Sequence, residues 1–383
     1  MVDYSRDAFV HEGTVQVRPL GRKGLGRPIP PGECAITALV CGPEGRIYGG
    51  TSGRRAHLFR YDPGPTGDCV MHIGPVGQER EITGLVAHGR FIYGATGDAG
   101  GAGGWLFRYD ASRDGVSDYG YGRGEVEMLC QPLEGEAIAG IALDAARERL
   151  CGIGAKTGAF FWHDLASAQV TQAGVATEAG VVSSPLLVTR DAVYGVVEQG
   201  RMFRCDLVTG ALERLDLFIP CLAGLEHYNR LQSAAADPVT GLVYGGTADG
   251  LLFSLDPADL SFVTLGKPVA QPGMRALTVG VDGRVFGIGG DKDGMGHLFC
   301  CDPETRDLRD LGIPMATSER YWHGYEFGAA ATGRFGEIYL GESDRISHLF
   351  IYHPPIRARA QPRAGTVPEW GLSPSGRVGG ADL

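Results

Sequence analysis

The sequence predicts an all-β fold, a seven-bladed β-propeller of four-stranded antiparallel blades, and three observations carry that prediction. One short motif returns seven times along the 383 residues, turn-forming residues punctuate every interval, and almost no long stretch shows a helical period. The motif is Leu58-Phe59-Arg60-Tyr61-Asp62, repeated as Leu106–Asp110, Phe160–Asp164, Met202–Asp206, Leu252–Asp256, Leu298–Asp302 and Leu349–His353. Its last residues are spaced by 48, 54, 42, 50, 46 and 51 positions. Such intervals suit one four-stranded blade each, with the variation absorbed by loops.

Each repeat presents four strand signals in the same order. The first is a run of small or apolar residues, such as Ile36-Thr37-Ala38-Leu39 or Ala234-Ala235-Ala236, suited to a crowded central axis. A tight turn follows, as at Asp282-Gly283, because Asp and Gly tolerate hairpin backbone angles. The pairs Tyr48-Gly49, Tyr93-Gly94, Tyr194-Gly195 and Tyr244-Gly245 mark the second strand, where the glycine is expected to allow close approach between blades. The Leu-Phe motif is the third. Val70–Ile73, Val116–Tyr119, Phe262–Leu265 and Leu308–Leu311 are the expected fourth strands.

The seventh repeat lacks a fourth strand after Tyr352-His353-Pro354-Pro355, whereas Thr14–Leu20 is a strand with no blade before it. The N-terminal strand is therefore expected to complete the last blade and close the ring, leaving no exposed sheet edge there. The expected organisation is one propeller over 1–356 and a Pro/Gly-rich tail over 357–383. The surroundings of Ser167–Val170 are the main helical candidate.

A net charge of −10 without a compensating basic run argues against a nucleic-acid partner. No segment approaches the length and apolarity of a membrane span, and the first residues lack the apolar core of a signal peptide. Nine cysteines, several within expected strands and none at metal-ligand spacing, read as reduced structural thiols, which suits a cytoplasmic protein. Asp291-Lys292-Asp293-Gly294 opens like a calcium loop but lacks a closing Glu, and the glycine-rich stretch 97–104 lacks the Lys-Ser/Thr of a phosphate loop. Neither a metal nor a cofactor is expected. Ser183-Ser184 has no nucleophile elbow around it.

Among ten histidines, His57, His297 and His348 all precede Leu-Phe and read as packing residues, and most others also fall on repeat positions or in variable strands and turns. His227 and His323 stand outside the repeat. His227 lies in Glu226-His227-Tyr228-Asn229-Arg230-Leu231-Gln232, and His323 in Glu319-Arg320-Tyr321-Trp322-His323-Gly324-Tyr325-Glu326, each leading into a first strand. Blade 6 carries Pro272-Gly273-Met274-Arg275 at the same place. Three consecutive blades thus direct two His, several Tyr, Trp322, Arg230, Arg275 and Arg320 toward one channel mouth. Loops between second and third strands add Arg54, Arg55, Asp98, Lys156, Arg201, Asp249, Asp291, Lys292, Asp293, Asp344 and Arg345, enough cations to favour an anion.

Over residues 15–355 the repeats resemble the bacterial seven-bladed β-propeller superfamily, a fold that hosts many activities. The gathered His, Tyr and Arg are similar in kind to the sites of propeller polysaccharide lyases. That likeness implies β-elimination on a uronate-containing saccharide. The chemistry needs a cation on the carboxylate, a base for the C5 proton and an acid for the leaving oxygen. Arg230 or Arg275 would neutralise, His323 or His227 would act as base, and Tyr228, Tyr321 or Tyr325 as acid. Trp322 would stack on a sugar ring, with Arg320, Gln232, Glu326 and Asn229 completing the substrate site. The alternative is a non-catalytic platform that binds a protein or glycan through the same mouth. Either way the expected partner is a small or saccharide ligand, anionic in character.

Overall fold

The computed structural model describes residues 9–20, 28–63, 70–97, 103–113, 126–177, 179–290, 295–316, 322–344 and 346–358. Seven four-stranded antiparallel sheets form the propeller. Blade 1 runs from the axis outward as Ala35–Cys41, Ile47–Ser52, His57–Tyr61 and Val70–Pro75. The first strands of blades 2 to 7 are Ile82–His88, Ile138–Asp144, Leu187–Val188, Leu231–Ala236, Ala276–Val279 and Phe327–Thr332. They surround the axis, and their small side chains let neighbouring strands approach. The N-terminal strand Thr14–Pro19 pairs with His348–His353, Thr14 opposite His353 and Pro19 opposite His348, and so supplies the outer strand of blade 7.

The Leu-Phe motif is the third strand of every blade, and its Phe ring explains the glycine across from it. A Cβ on Gly49 would fall inside the ring of Phe59, and the same collision recurs at Gly94 on Phe107, Gly152 on Phe161, Gly195 on Phe203 and Gly245 on Phe253. The glycine of the Tyr-Gly pair therefore makes room within its own blade, not between blades as the sequence suggested. Contact with the next blade falls one residue later. A Cβ on Gly50 would strike Ile82, and one on Gly246 would strike Met274.

Apolar packing fills the seven interfaces between neighbouring blades. Tyr48 and Leu58 of blade 1 meet Ile82 and Phe107 of blade 2 in one such cluster, all fully buried. Blades 7 and 1 share another, in which Tyr61 and Phe59 meet Tyr339 and Leu349. Each buried Phe contributes about 1.5–3 kcal/mol relative to exposure. Because every interface is built alike, the ring holds by side-by-side packing with no separate central core.

Two local expectations are corrected. Residues 164–168 form a turn, in which the Asp164 carboxylate accepts hydrogen bonds from the amide and hydroxyl of Ser167, both at 2.8 Å, and Val170–Val175 is a strand. A short polar side chain here satisfies the backbone of a tight turn better than a helix would. The fourth strand of blade 2 is Glu127–Cys130, later than expected, and Val116–Tyr119 lies outside the described residues. The expected tail over 357–383 also falls outside them beyond Ala358. No helix among the described residues is long and apolar enough to cross a membrane.

Candidate functional site at the channel mouth

In five blades the first strand carries one residue more than its partner can pair. The register steps over Thr37, Thr83, Ala139, Gln232 and Gly328. A bulged residue leaves the ladder and its side chain is re-aimed. All five line a cavity of about 470 Å³ at the end of the channel where the first strands begin. Two of them also fasten neighbouring blades. Thr37 Oγ1 donates to the Ile82 carbonyl at 2.7 Å, and Gln232 Oε1 accepts from the Met274 amide at 2.6 Å. By contrast, Thr83 Oγ1 and Ser343 Oγ are shielded from bulk water and have no hydrogen-bond partner.

Four charged residues complete this wall: Glu81 from blade 2, Arg230 from blade 5, Arg275 from blade 6 and Glu326 from blade 7. Arg275 Nη1 donates to Glu326 Oε1 at 2.7 Å, with the arginine half exposed. Arg230 is exposed and makes no ion pair among the described residues. Glu81 is exposed to the water of the cavity, and the protein atoms crowded beside it push its carboxyl up by desolvation. Seven blades place it across the ring from the arginines of blades 5 and 6.

The other expected site residues lie elsewhere. Glu226–Tyr228 is a single 3-10 turn, on which Tyr228 is 73% exposed and His227 Nδ1 lies 3.3 Å from the Gln199 amide nitrogen. Asn229 is buried, and its amide nitrogen donates to the Ile219 carbonyl at 2.9 Å beneath Gly200, so it anchors the loop. His323 pairs with Met315 in a two-residue ladder, stacks near Tyr325 with centroids 4.9 Å apart, and has a buried Nε2 with no partner. Tyr321 and Arg320 lie outside the described residues.

Trp322 belongs to a buried polar cluster. Its Nε1 donates to the Glu342 carboxylate at 3.1 Å while its ring covers His348, centroids 4.1 Å apart. Glu342 is fully buried and also accepts from the His348 amide at 3.0 Å. Burial pushes the Glu342 carboxyl up, against the opposing pull of His348. Elsewhere a threonine does this work: Thr51, Thr96 and Thr247 accept from the amides of His57, Trp105 and Leu251 at 2.8–3.0 Å. Glu342 is thus a hairpin clamp, and Trp322 is held by it.

Most described loop charges are similarly engaged with their own surroundings. Arg54 lies 3.3 Å from Glu33, Arg55 donates to the Gly77 carbonyl, Arg201 to the Leu215 carbonyl, and Asp249 accepts from the Leu222 amide. Asp344 accepts from the Ile346 amide, while Lys156 is tied down only through its backbone N–H, which donates to Glu136. Asp98, Asp291, Lys292, Asp293 and Arg345 lie outside the described residues. Sequence reasoning passed over Glu81, Thr83, Ser183 and Ser343, all of which line the cavity. Their only signal is position at or just before a bulge or a strand end.

No protein-family model matches the chain, and no curated protein matches it. Solved structures do. The extracellular domain of a putative hybrid two-component system from B. thetaiotaomicron aligns with a TM-score of 0.61 at 15% identity, covering 88% of this chain and 39% of that one. The extracellular domain of a second such system from the same organism aligns at 0.57 and 12% identity, covering 90% and 42%. The chain therefore spans about two fifths of the neighbours it matches. Both share the propeller fold. They also overturn the cytoplasmic expectation, since both neighbours are extracellular domains, and free thiols do not by themselves fix a compartment. The eight described cysteines are free, and burial pushes Cys151 and Cys301 up to about 12, which makes them inert packing groups.

Proposed function

We propose that this propeller is a non-catalytic binding module that takes a small anionic ligand, of the carboxylate-bearing saccharide class, at its channel mouth. One observation carries the reading. Arg230, Gln232, Arg275 and Glu326 line a common cavity, whereas His227, Tyr228, His323 and Tyr325 do not line it. Binding groups converge there without the histidines and tyrosines that were expected to act as base and acid. Elimination requires a base within hydrogen-bond reach of the proton it removes, and the carboxylate of Glu81 stands on blade 2, across the ring from the arginines that would hold the uronate, so the arrangement favours recognition over turnover. The neighbours belong to two-component systems, and detection of a ligand is a role of the same kind.

Calorimetry with digalacturonate at low salt tests this, beside an absorbance assay for the unsaturated product. The expected result is saturable binding, weakened about tenfold by Arg230→Gln, with no rise in absorbance. Steady formation of unsaturated product would return the lyase reading, and equal affinity in both proteins would remove Arg230 from the site.

A further inference from the structure

The cavity wall is electrically two-sided. Arg230 and Arg275 come from blades 5 and 6, and Glu81 comes from blade 2 across the ring. Within the wall, Glu326 already accepts from Arg275, which leaves Arg230 and Glu81 as opposite charges, neither with an ion-pair partner among the described residues. They remain apart because they are fixed to different blades of a closed ring, so the fold cannot bring them together. Next to Glu81, Thr83 adds a hydroxyl with no partner.

We propose that the mouth is built for a zwitterion, one small molecule that presents a carboxylate to Arg230 and a protonated amine to Glu81. The proposal rests on the preceding reading for its anionic half and adds the cationic half. Two charges of opposite sign that face one cavity, neither with an ion-pair partner among the described residues, are matched together by a ligand that carries both complements. Desolvation acts on Glu81 alone, and an ammonium group at its side supplies the compensation that the wall lacks. A simple uronate would satisfy Arg230 and leave Glu81 opposed to nothing.

Amino-sugar acids and short peptides share this chemistry, and matched probes separate them. Calorimetry of the full chain would use muramic acid beside glucuronic acid and glucosamine, then triglycine beside N-acetyltriglycine and triglycinamide. The zwitterion of at least one set should bind about tenfold tighter than either singly charged relative. Glu81→Gln should reduce it to the level of the anion, and Arg230→Gln to the level of the amine, each with a cooperative unfolding transition like that of the native chain. Preference for muramic acid alone would indicate a sugar source, and preference for triglycine a peptide source. Should glucuronic acid bind the native chain as tightly as muramic acid, and N-acetyltriglycine as tightly as triglycine, the zwitterion proposal fails while the anion site stands. If none of the six binds, both fail.

Discussion

Arg284 and Arg275 belong to the same blade and sit at its two ends. Arg284 precedes Val285–Gly289 at the turn between first and second strands, and Arg275 precedes Ala276–Val279 at the mouth. The first is 4% exposed and locked to Asp282, itself 3% exposed, by Nε and Nη2 bonds of 2.9 and 2.7 Å, and Nη2 donates further to the Pro355 carbonyl. Burial pushes the Asp282 carboxyl up, but the Arg284 hydrogen bonds outweigh it and the net shift is downward. The mouth arginine is half exposed and held by one carboxylate. One end uses its charges to fix the chain that leaves blade 7, and the other keeps them within reach of a ligand.

That contrast fails if the two ends respond alike to substitution. Asp282→Ala leaves Arg284 buried without a counter-charge and should cost about 3–5 kcal/mol, read from urea unfolding. A loss under about 1 kcal/mol would show that the rim pair is not structural. Gly94→Ala, which drives a methyl into Phe107, should cost about 1–3 kcal/mol. Gly74→Ala, with nothing near its Cβ, should stay within about 0.5 kcal/mol.

At the mouth the stability effects should shrink while binding effects grow. Glu326→Gln frees Arg275, so stability should move by less than about 1 kcal/mol and affinity for digalacturonate should rise severalfold. A fall in affinity would mean that Glu326 positions Arg275 rather than competing for it. The smallest effect concerns acidity. Because the folded Glu81 carboxyl is raised above its unfolded value, its favourable contribution is complete at low pH and is lost as pH climbs through the raised value. Glu81→Gln should therefore gain on the native chain in unfolding midpoint between acid and neutral pH, then level off. A constant difference across that range would contradict the desolvated placement of this carboxylate.

The scaffold was legible because every blade solves the same packing problem with the same residues. Phe59 and its six counterparts recur, and the ring-closing strand Thr14–Pro19 was recognisable as an orphan beside an incomplete seventh repeat. The mouth was only partly legible. Arg230, Gln232, Arg275 and Glu326 stood out as polar interruptions at the entry to first strands, and so did His227, Asn229 and Trp322. Only geometry separates the two groups, since Asn229 and Trp322 interrupt the pattern to anchor a loop and a hairpin. The bulged positions share no residue type, being Thr, Thr, Ala, Gln and Gly. A register slip is a property of paired backbones and leaves no mark on one strand's sequence. Thr83 stayed hidden for that reason, whereas Glu81 holds the same place before a first strand as Arg230, Arg275 and Glu326 and could have been found by comparing blades.

The central claim is that ligand sits in the channel mouth between Arg230 and Gln232, and a crystal soaked with digalacturonate tests it most directly. The account predicts a carboxylate against the Arg230 guanidinium inside the cavity lined by the bulged residues. Ligand seated instead on the exposed His227–Tyr228 turn, with the mouth holding only water, would contradict it.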